Sequence, residues 1–191
     1  IYIGCHLSVT DGYEAMGKTM AAFGGNTFAF FTRNPRGGKT KEITAEDAGA
    51  LCRFMEKEQF GPLVAHGSYT MNLCSAKPET RKNGLEMLAK DMRRMELIPG
   101  NLYNFHPGSH TGQGTETGID QIADALNQVL LPAMGTTVLL ETMAGKGRKI
   151  GGTLKGREKI TKGGGIKEKL GGCFDTGKNG DGGIVLATDL N

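Results

Sequence analysis

The sequence predicts an α/β fold in which a parallel sheet is covered by helices. Six short apolar runs suited to buried strands recur along the 191 residues, and amphipathic helical patterns lie between most of them. Such alternation of strand and helix is typical of parallel sheets. A doubly wound sheet and a closed barrel both fit the alternation. No Gly-x-Gly-x-x-Gly motif follows the first strand, which removes the best sign of a dinucleotide-binding fold.

Each predicted strand is a short run of apolar residues bounded by polar residues, glycine or proline. A run without polar alternation indicates a strand that is buried on both faces, as in a parallel sheet. The sixth run is weaker than the others because it has only two apolar residues after a pair of glycines. The predicted strands lie at residues 1–5, 27–31, 62–65, 102–105, 137–140 and 172–174.

Four helices are predicted between these strands, at residues 13–23, 44–59, 79–97 and 119–131. Asp11 is the expected N-terminal cap of the first helix. The second begins with Thr44 and Asp47 at capping-box spacing, with Asp in place of the usual Glu. The third helix carries one apolar stripe formed by Leu85, Leu88, Met92 and Met95.

The last quarter of the chain differs in composition from the rest. Residues 1–144 hold 17 glycines and residues 145–191 hold 14. Residues 1–143 carry 13 basic and 15 acidic side chains, whereas residues 144–191 carry 10 basic and 5 acidic ones. Because each glycine inside a helix costs about 1 kcal/mol relative to alanine, a helix across residues 153–169 would be marginal. We expect a loose segment here, either a solvated tail or a phosphate-binding surface.

Cysteine spacing and hydropathy exclude several classes of protein. The four cysteines, Cys5, Cys52, Cys74 and Cys173, form no Cys-x-x-Cys pair, which argues against zinc-ribbon and thioredoxin-type sites. No signal peptide is recognisable, so a reducing cytoplasm is the expected location. No apolar run approaches the roughly 18 residues that a membrane-spanning helix needs, and no membrane partner is expected.

Polar residues with ligand chemistry follow four of the predicted strands. His66, His106, Glu141 and Asp175 are separated by 40, 35 and 34 residues, about one strand-helix unit each. In a barrel, consecutive strand ends converge on one rim, where active sites lie. Two imidazoles and two carboxylates could there hold Zn²⁺ or Mn²⁺. The alternative is that each is an ordinary hydrogen-bonded polar residue, which is the commoner fate of a lone histidine at a strand end.

Five motifs in order resemble those of the endonuclease IV family, the second class of apurinic/apyrimidinic endonucleases. They lie at residues 4–8, 31–36, 66–73, 104–110 and 140–147. A sixth, Cys173-Phe174-Asp175-Thr176, is similar to the next metal-binding motif of that family. The resemblance extends over residues 1–147 with little interruption and is patchy after them.

The resemblance implies a TIM (β/α)₈ barrel with three zinc ions that hydrolyses the DNA backbone 5′ to an abasic site and leaves a 3′-hydroxyl. His66, His106 and Glu141 match ligands of one zinc, and Glu141, the expected catalytic carboxylate, also bridges to a second zinc that Asp175 would bind. The implied partner is double-stranded DNA with abasic sites, and the expected state is a monomer.

Two further matches concern DNA, and two concern histidines outside the ligand set. Arg36 and Tyr69 match positions that contact DNA at the lesion, where a guanidinium and an aromatic ring can occupy the space of a missing base. Their alternatives are an ordinary surface cation and a half-buried ring. His6 and His110 match motif histidines for which we expect supporting rather than ligating roles.

The chain departs from the family pattern after Thr176. The family continues with Cys-His, whereas this chain has Gly177 and Lys178, and lysine is a poor zinc ligand. Further ligands of the family come from strands beyond Asn191, the last residue. We therefore expect one incomplete TIM-barrel domain over residues 1–191, of about six β/α units with the last two missing. Its well-matched part is 1–147 and its glycine-rich, divergent part is 148–191.

The incomplete ligand set predicts one well-formed zinc site at most, with Mn²⁺ as a substitute, and no catalysis by these residues alone. Two alternatives stay open. One is a metal-dependent sugar isomerase or epimerase on the same barrel, which would lack the paired Arg36 and Tyr69. The other is a non-catalytic relic that binds DNA or one metal ion without turnover.

Overall fold

The computed structural model of the protein describes residues 1–36, 42–141, 167–175 and 184–185. Its strands form one sheet in which each strand lies beside the next one in the chain. The first six pair in parallel and the seventh pairs antiparallel to the sixth. The strands are β1 His6–Leu7, β2 Ala29–Phe31, β3 Val64–His66, β4 Leu102–Phe105, β5 Thr137–Glu141, β6 Leu170–Asp175 and β7 Ile184–Val185.

The strand order decides between the two architectures that the alternation allowed. A doubly wound sheet reverses its strand order at a switch point, whereas here all six parallel strands advance in sequence order. This is the order of a (β/α)₈ barrel, of which the chain forms about six units. The predicted partial TIM barrel is therefore confirmed.

Four helices connect the first five strands, and their positions agree with the predicted ones to within a few residues. The apolar stripe predicted on the third helix faces the sheet, since Leu88, Met92 and Met95 are buried and Leu85 packs at the edge of the same core. None of the described helices is both long and apolar enough to cross a bilayer. The helices are α1 Tyr13–Ala22, α2 Ala45–Lys57, α3 Pro78–Met95 and α4 Thr115–Val129.

The first strand and the first helix cap differ from the prediction. The apolar run at residues 1–5 is exposed, and the assigned strand begins only at His6. The predicted cap Asp11 lies in a single 3₁₀ turn, and Gly12 occupies the cap position without a side-chain bond. The N-terminus of α1 is capped instead by Asp47, whose carboxylate accepts the backbone N–H groups of the first two helical residues at 2.7 and 3.0 Å.

The second helix begins as predicted. The hydroxyl of Thr44 accepts the backbone N–H of Asp47 at 3.1 Å, which is the first half of a capping box. The second half is missing because the Asp47 carboxylate is committed to α1. One side chain thus joins two helices whose contacting residues lie 33 and 34 positions apart in the chain.

The glycine-rich part of the chain is described only in short pieces. The sixth strand is longer than the predicted 172–174, and the antiparallel strand β7 was not predicted. The marginal helix considered for residues 153–169 lies outside the described residues except for a single 3₁₀ turn at Lys167–Lys169. Lys178 also lies outside them.

Candidate metal centre

Three of the four predicted metal ligands meet at the carboxyl ends of neighbouring parallel strands. His66 is the last residue of β3, His106 directly follows β4, and Glu141 is the last residue of β5. Nε2 of His66 lies 3.0 Å from Oε2 of Glu141, and Nε2 of His106 lies 3.1 Å from Oε1 of the same carboxylate. One ligand atom from each residue lies within 4.8 Å of the others.

The donor set and its spacing fit a single divalent ion. Zinc accepts imidazole nitrogen and carboxylate oxygen at about 2.0–2.1 Å in tetrahedral geometry, which separates neighbouring ligand atoms by about 3.4 Å. The two nitrogen–oxygen separations of 3.0 and 3.1 Å are within a few tenths of that value. A divalent ion could therefore be held among these atoms after small side-chain rotations.

His66 is oriented in the way that a metal-binding imidazole requires. Its Nδ1 lies 2.7 Å from the carbonyl oxygen of Gly67. Because a carbonyl only accepts, Nδ1 carries the proton in this geometry, and Nε2 is the nitrogen directed at Glu141. A hydrogen bond of this kind on the outer nitrogen fixes the ring and its tautomer in metal sites.

These three predicted ligands lie below the protein surface at the carboxyl ends of the strands. Glu141 is 5% exposed and His66 is 9% exposed, whereas His106 is half-buried. A buried carboxylate costs free energy unless charged or hydrogen-bonding groups compensate it. Glu141 accepts a hydrogen bond from the amide of Asn104, whose Nδ2 donates to Oε2 at 2.7 Å, and a cation held between it and the two imidazoles would compensate its charge.

Tyr69 covers the outer side of the metal ligands. Its ring centroid lies 5.3 Å from that of His106 and 5.6 Å from that of His66, yet the residue is 55% exposed. Phe31 packs edge-on against Tyr69 at 5.3 Å and also contacts the ring of His66. The site therefore carries a large, solvent-facing aromatic ring directly beside its buried donors.

The loop with Arg36 is joined to the loop with Tyr69 by hydrogen bonds to one carbonyl. The backbone N–H of Tyr69 and the hydroxyl of Ser68 both donate to the carbonyl oxygen of Pro35, each at 3.0 Å. Arg36 is exposed and its backbone N–H donates to Asn34. The structure thus places Arg36 on the loop adjoining Tyr69.

The fourth predicted ligand, Asp175, is the last residue of β6. β6 lies beside β5, with Glu141 opposite Cys173, so the Asp175 backbone is two residues beyond Glu141 in register. Its side chain lies outside the described part of the protein. Strand placement agrees with the prediction for Asp175, and the ligand role stays a prediction.

The two remaining motif histidines lie outside the donor cluster. Nδ1 of His110 accepts the backbone N–H groups of Gly112 and Gly114, each at 3.2 Å, and so shapes the turn before α4. His6 stacks at 4.7 Å on Phe31. Desolvation by this packing, together with the nearby imidazole of His66, lowers the pKa of His6.

A cleft of about 610 Å³ adjoins the cluster on the side of the first two strands. It is lined by the segments that follow β1 and β2, including His6, Ser8, Phe31 and Asn34. Phe31 forms part of this cleft and also touches His66. One wall of the cleft is therefore in direct contact with the imidazole of His66.

Sequence reasoning singles out the ligands and misses the amide that holds them. The motif at residues 104–110 includes Asn104 but gives it no separate role. In the structure it is a buried polar residue within the apolar strand Leu-Tyr-Asn-Phe. That break in an otherwise apolar strand is the signal that could have identified it. Phe31 is likewise predicted only as a residue of a buried strand and of a motif, whereas its ring contacts His66 and Tyr69 and forms part of the wall of the site.

Comparison with known proteins adds the family context. The family described as a xylose isomerase-like TIM barrel matches residues 18–179. A probable endonuclease 4 of Akkermansia muciniphila is 51% identical over 175 residues, which cover 92% of this chain and 63% of that protein. A probable endonuclease 4 of Alkaliphilus oremlandii is 48% identical over 189 residues, which cover 99% of this chain and 67% of that protein. The chain thus spans about two thirds of the length of these relatives.

Solved structures also resemble this chain. The crystal structure of endonuclease IV from Thermus thermophilus matches with a TM-score of 0.76 and 26% identity, over 92% of this chain and 63% of that one. A D-psicose 3-epimerase from Clostridium cellulolyticum matches with a TM-score of 0.63 and 14% identity, over 92% of this chain and 64% of that one. At that identity, the likeness to the epimerase shows the fold alone.

Proposed function

The chain belongs to the endonuclease IV family, and we propose that its rim site serves zinc-dependent hydrolysis of DNA at abasic sites. The proposed reaction breaks the phosphodiester 5′ to the abasic site and leaves a 3′-hydroxyl. The observation that carries this proposal is the convergence of His66, His106 and Glu141 on one point beneath the exposed ring of Tyr69.

His66, His106 and Glu141 are the proposed ligands of one zinc ion, and Asp175 is the proposed ligand of a second ion that shares Glu141. A divalent ion at such a site activates water at neutral pH and neutralises the negative charge of the phosphodiester. The carbonyl of Gly67 holds the His66 ring in place. Both oxygens of Glu141 face the imidazoles, Oε2 towards His66 and Oε1 towards His106, so the carboxylate would help to hold the ion that these histidines bind.

Tyr69 and Arg36 are the proposed DNA contacts. An exposed aromatic ring can stack on a base or fill the gap that a missing base leaves, and a guanidinium can bind phosphate or enter the same gap. The shared carbonyl of Pro35 supports this pairing, because it fixes the backbone of the Tyr69 loop relative to the residue before Arg36. Both contacts would then approach one lesion from adjoining loops.

The proposal is tested on the purified chain by zinc content, DNA binding and nicking. We expect about one tightly bound zinc, which is lost in Glu141→Gln and kept in His110→Gln, since His110 lies outside the donor cluster. We also expect tighter binding to a duplex with an abasic site than to the intact duplex. Any nicked product should carry a 3′-hydroxyl that a DNA polymerase extends without further processing.

Three outcomes would contradict the proposal. Absence of zinc from the wild-type chain would remove the metal centre. Equal binding to abasic and intact duplexes would remove the lesion specificity. Tight, zinc-dependent binding of a free ketose in preference to abasic DNA would favour a sugar isomerase or epimerase.

A further inference from the structure

We infer that Asn104 is a positioning residue for the carboxylate of Glu141, and that it serves metal binding rather than the stability of the barrel. This inference rests on the proposed metal site. The amide occupies the middle of β4, where its side chain faces the barrel interior beside the three donors. Asn104 is not one of the proposed ligands.

The amide fixes how the carboxylate is rotated. Nδ2 of Asn104 donates to Oε2 of Glu141 at 2.7 Å, on the same oxygen that faces Nε2 of His66 at 3.0 Å. The other oxygen, Oε1, is thereby directed at His106. Without the amide, the carboxyl group could rotate about its last bond. Its two oxygens would then no longer be held one towards each imidazole.

The orientation of the amide follows from its partner. If the amide were reversed, Oδ1 would lie against Oε2 of Glu141, and two acceptors at that separation repel each other. Oδ1 therefore points away from the carboxylate. It is buried and has no hydrogen-bond partner within the described part of the protein.

The unpartnered Oδ1 of Asn104 favours a functional role for this residue over a structural one. A buried acceptor without a donor lowers the stability of the folded state, because it has given up its hydrogen bonds to water. The register partners of Asn104 in the sheet are His66 of β3 and Leu139 of β5, both buried. In the metal-free protein a leucine at position 104 would remove the buried acceptor that has no donor among the described residues.

Asn101, just before the same strand, provides the matched contrast. It is as buried as Asn104, at 2% exposure. Its Oδ1 accepts the backbone N–H of Leu63 at 2.7 Å, and its Nδ2 donates to the carbonyl of Ile98 at 2.7 Å. Both ends of this amide are satisfied by backbone groups, so its contribution is to the fold.

The test compares Asn104→Leu with Asn101→Leu in the 191-residue chain. Urea unfolding in the presence of a chelator measures the stability of the metal-free protein, and competition with a chromophoric chelator measures zinc affinity. For Asn104→Leu we expect zinc affinity to fall about 10–100-fold, as is usual for groups that orient a ligand. The unfolding midpoint of its metal-free form should be unchanged or higher, and the visible spectrum of its cobalt(II) form should be altered.

Asn101→Leu should show the reverse, with a lower unfolding midpoint and unchanged zinc affinity and cobalt spectrum. Unchanged zinc affinity in Asn104→Leu would overturn the inference while leaving the metal site intact. A wild-type chain that binds no zinc would overturn the proposed function itself. If Asn104→Leu does not fold, Asn104→Ala replaces it, and loss of folding in both variants would also overturn the inference, because it would show that Asn104 serves stability.

Discussion

Strand β4 separates two buried carboxylates that have opposite surroundings. Asn104 faces the barrel interior and donates to Glu141, whereas its neighbour Tyr103 faces the helices and donates to Asp91 of α3 at 2.8 Å. Glu141 is 5% exposed and Asp91 is fully buried. The two carboxylates differ little in burial and greatly in the kind of partner that each one has.

Asp91 is held by donors whose charge and proton do not change. Arg33 donates to Oδ1 through two of its nitrogens, and arginine stays charged at any physiological pH. The hydroxyls of Thr32 and Tyr103 donate to Oδ2. Burial and the charge of Asp91 raise the pKa of Tyr103, so this hydroxyl keeps its proton and remains a donor.

Glu141 is held by groups that can be exchanged. Its described partners include two imidazole nitrogens and one amide, and an imidazole nitrogen can bind a metal ion. The contrast teaches that burial alone does not identify a functional carboxylate. What distinguishes Glu141 from Asp91 is the exchangeability of the groups that face it.

Removal of the Asp91 carboxylate should have the largest effect on folding. Asp91→Ala leaves the guanidinium of Arg33 buried beside two hydroxyls that have lost their acceptor. Breaking a buried ion pair in this way lowers the free energy of unfolding by about 3–5 kcal/mol. Urea denaturation of the metal-free chain measures the loss, and a stability close to that of the wild type would contradict a structural role for this network.

Removal of the Glu141 charge should weaken zinc binding without lowering the stability of the metal-free chain. Glu141→Gln keeps the shape of the side chain and removes the charged ligand, so zinc affinity should fall more than about 100-fold, beyond the loss typical of outer-shell changes. The metal-free chain should be as stable as the wild type or more so, because a buried charge has been removed. Chelator competition and urea unfolding on the same sample measure both quantities, and a large loss of stability would make Glu141 resemble Asp91.

Of these two carboxylates, the role of Glu141 could be predicted from the sequence and that of Asp91 could not. Glu141 could be predicted because strand ends are recognisable locally and the topology of alternating units brings them together. Asp91 could not, because its partners Thr32 and Arg33 lie 59 and 58 residues away in the chain. The same limit explains Asp47, whose capping of α1 depends on a packing contact between two helices and not on local spacing.

The strand boundaries show the same limit on a smaller scale. The central strand Leu102–Phe105 was predicted to the residue, since it pairs on both sides and its apolar pattern is complete. The apolar run at residues 1–5 suggested a strand, but its first three residues are largely exposed and the strand begins at His6. Hydrophobicity identified the segment, while pairing with neighbouring strands decided where the strand begins.

The exposed ring beside Glu141 should matter for DNA and not for the metal. Tyr69→Ala should weaken binding to an abasic duplex by about 1–3 kcal/mol, the usual range for an aromatic stacking contact, with zinc affinity unchanged. Tyr69→Phe keeps the ring and should bind DNA almost as well as the wild type. Fluorescence anisotropy with a labelled duplex measures both, and equal binding by Tyr69→Ala and the wild type would remove Tyr69 from the DNA interface.

Tyr103→Phe makes the corresponding deletion on the other face of β4. It removes one donor from Asp91, so it should lower the free energy of unfolding by about 1.5–3 kcal/mol, the range for a hydrogen bond to a charged group. Zinc affinity and DNA binding should not change. If Tyr103→Phe weakened zinc binding, the assignment of one face of β4 to stability and of the other to metal binding would be wrong.

The smallest effect concerns a third carboxylate, Glu96, which is half-buried directly after α3. Burial by itself would raise its pKa, but the hydroxyl of Thr136, the backbone N–H groups of Gly135 and Thr136, and the charge of Lys169 lower it below the ordinary value. A folded-state pKa below the unfolded one means that ionised Glu96 stabilises the fold above the unfolded value, and that this contribution is lost as the pH falls through the folded value. Glu96→Gln should therefore be less stable than the wild type at pH 7, and the gap should close as the pH falls below about 4. Urea midpoints at several pH values measure the gap, and a gap that widens on acidification would contradict a lowered pKa of Glu96 in the folded state.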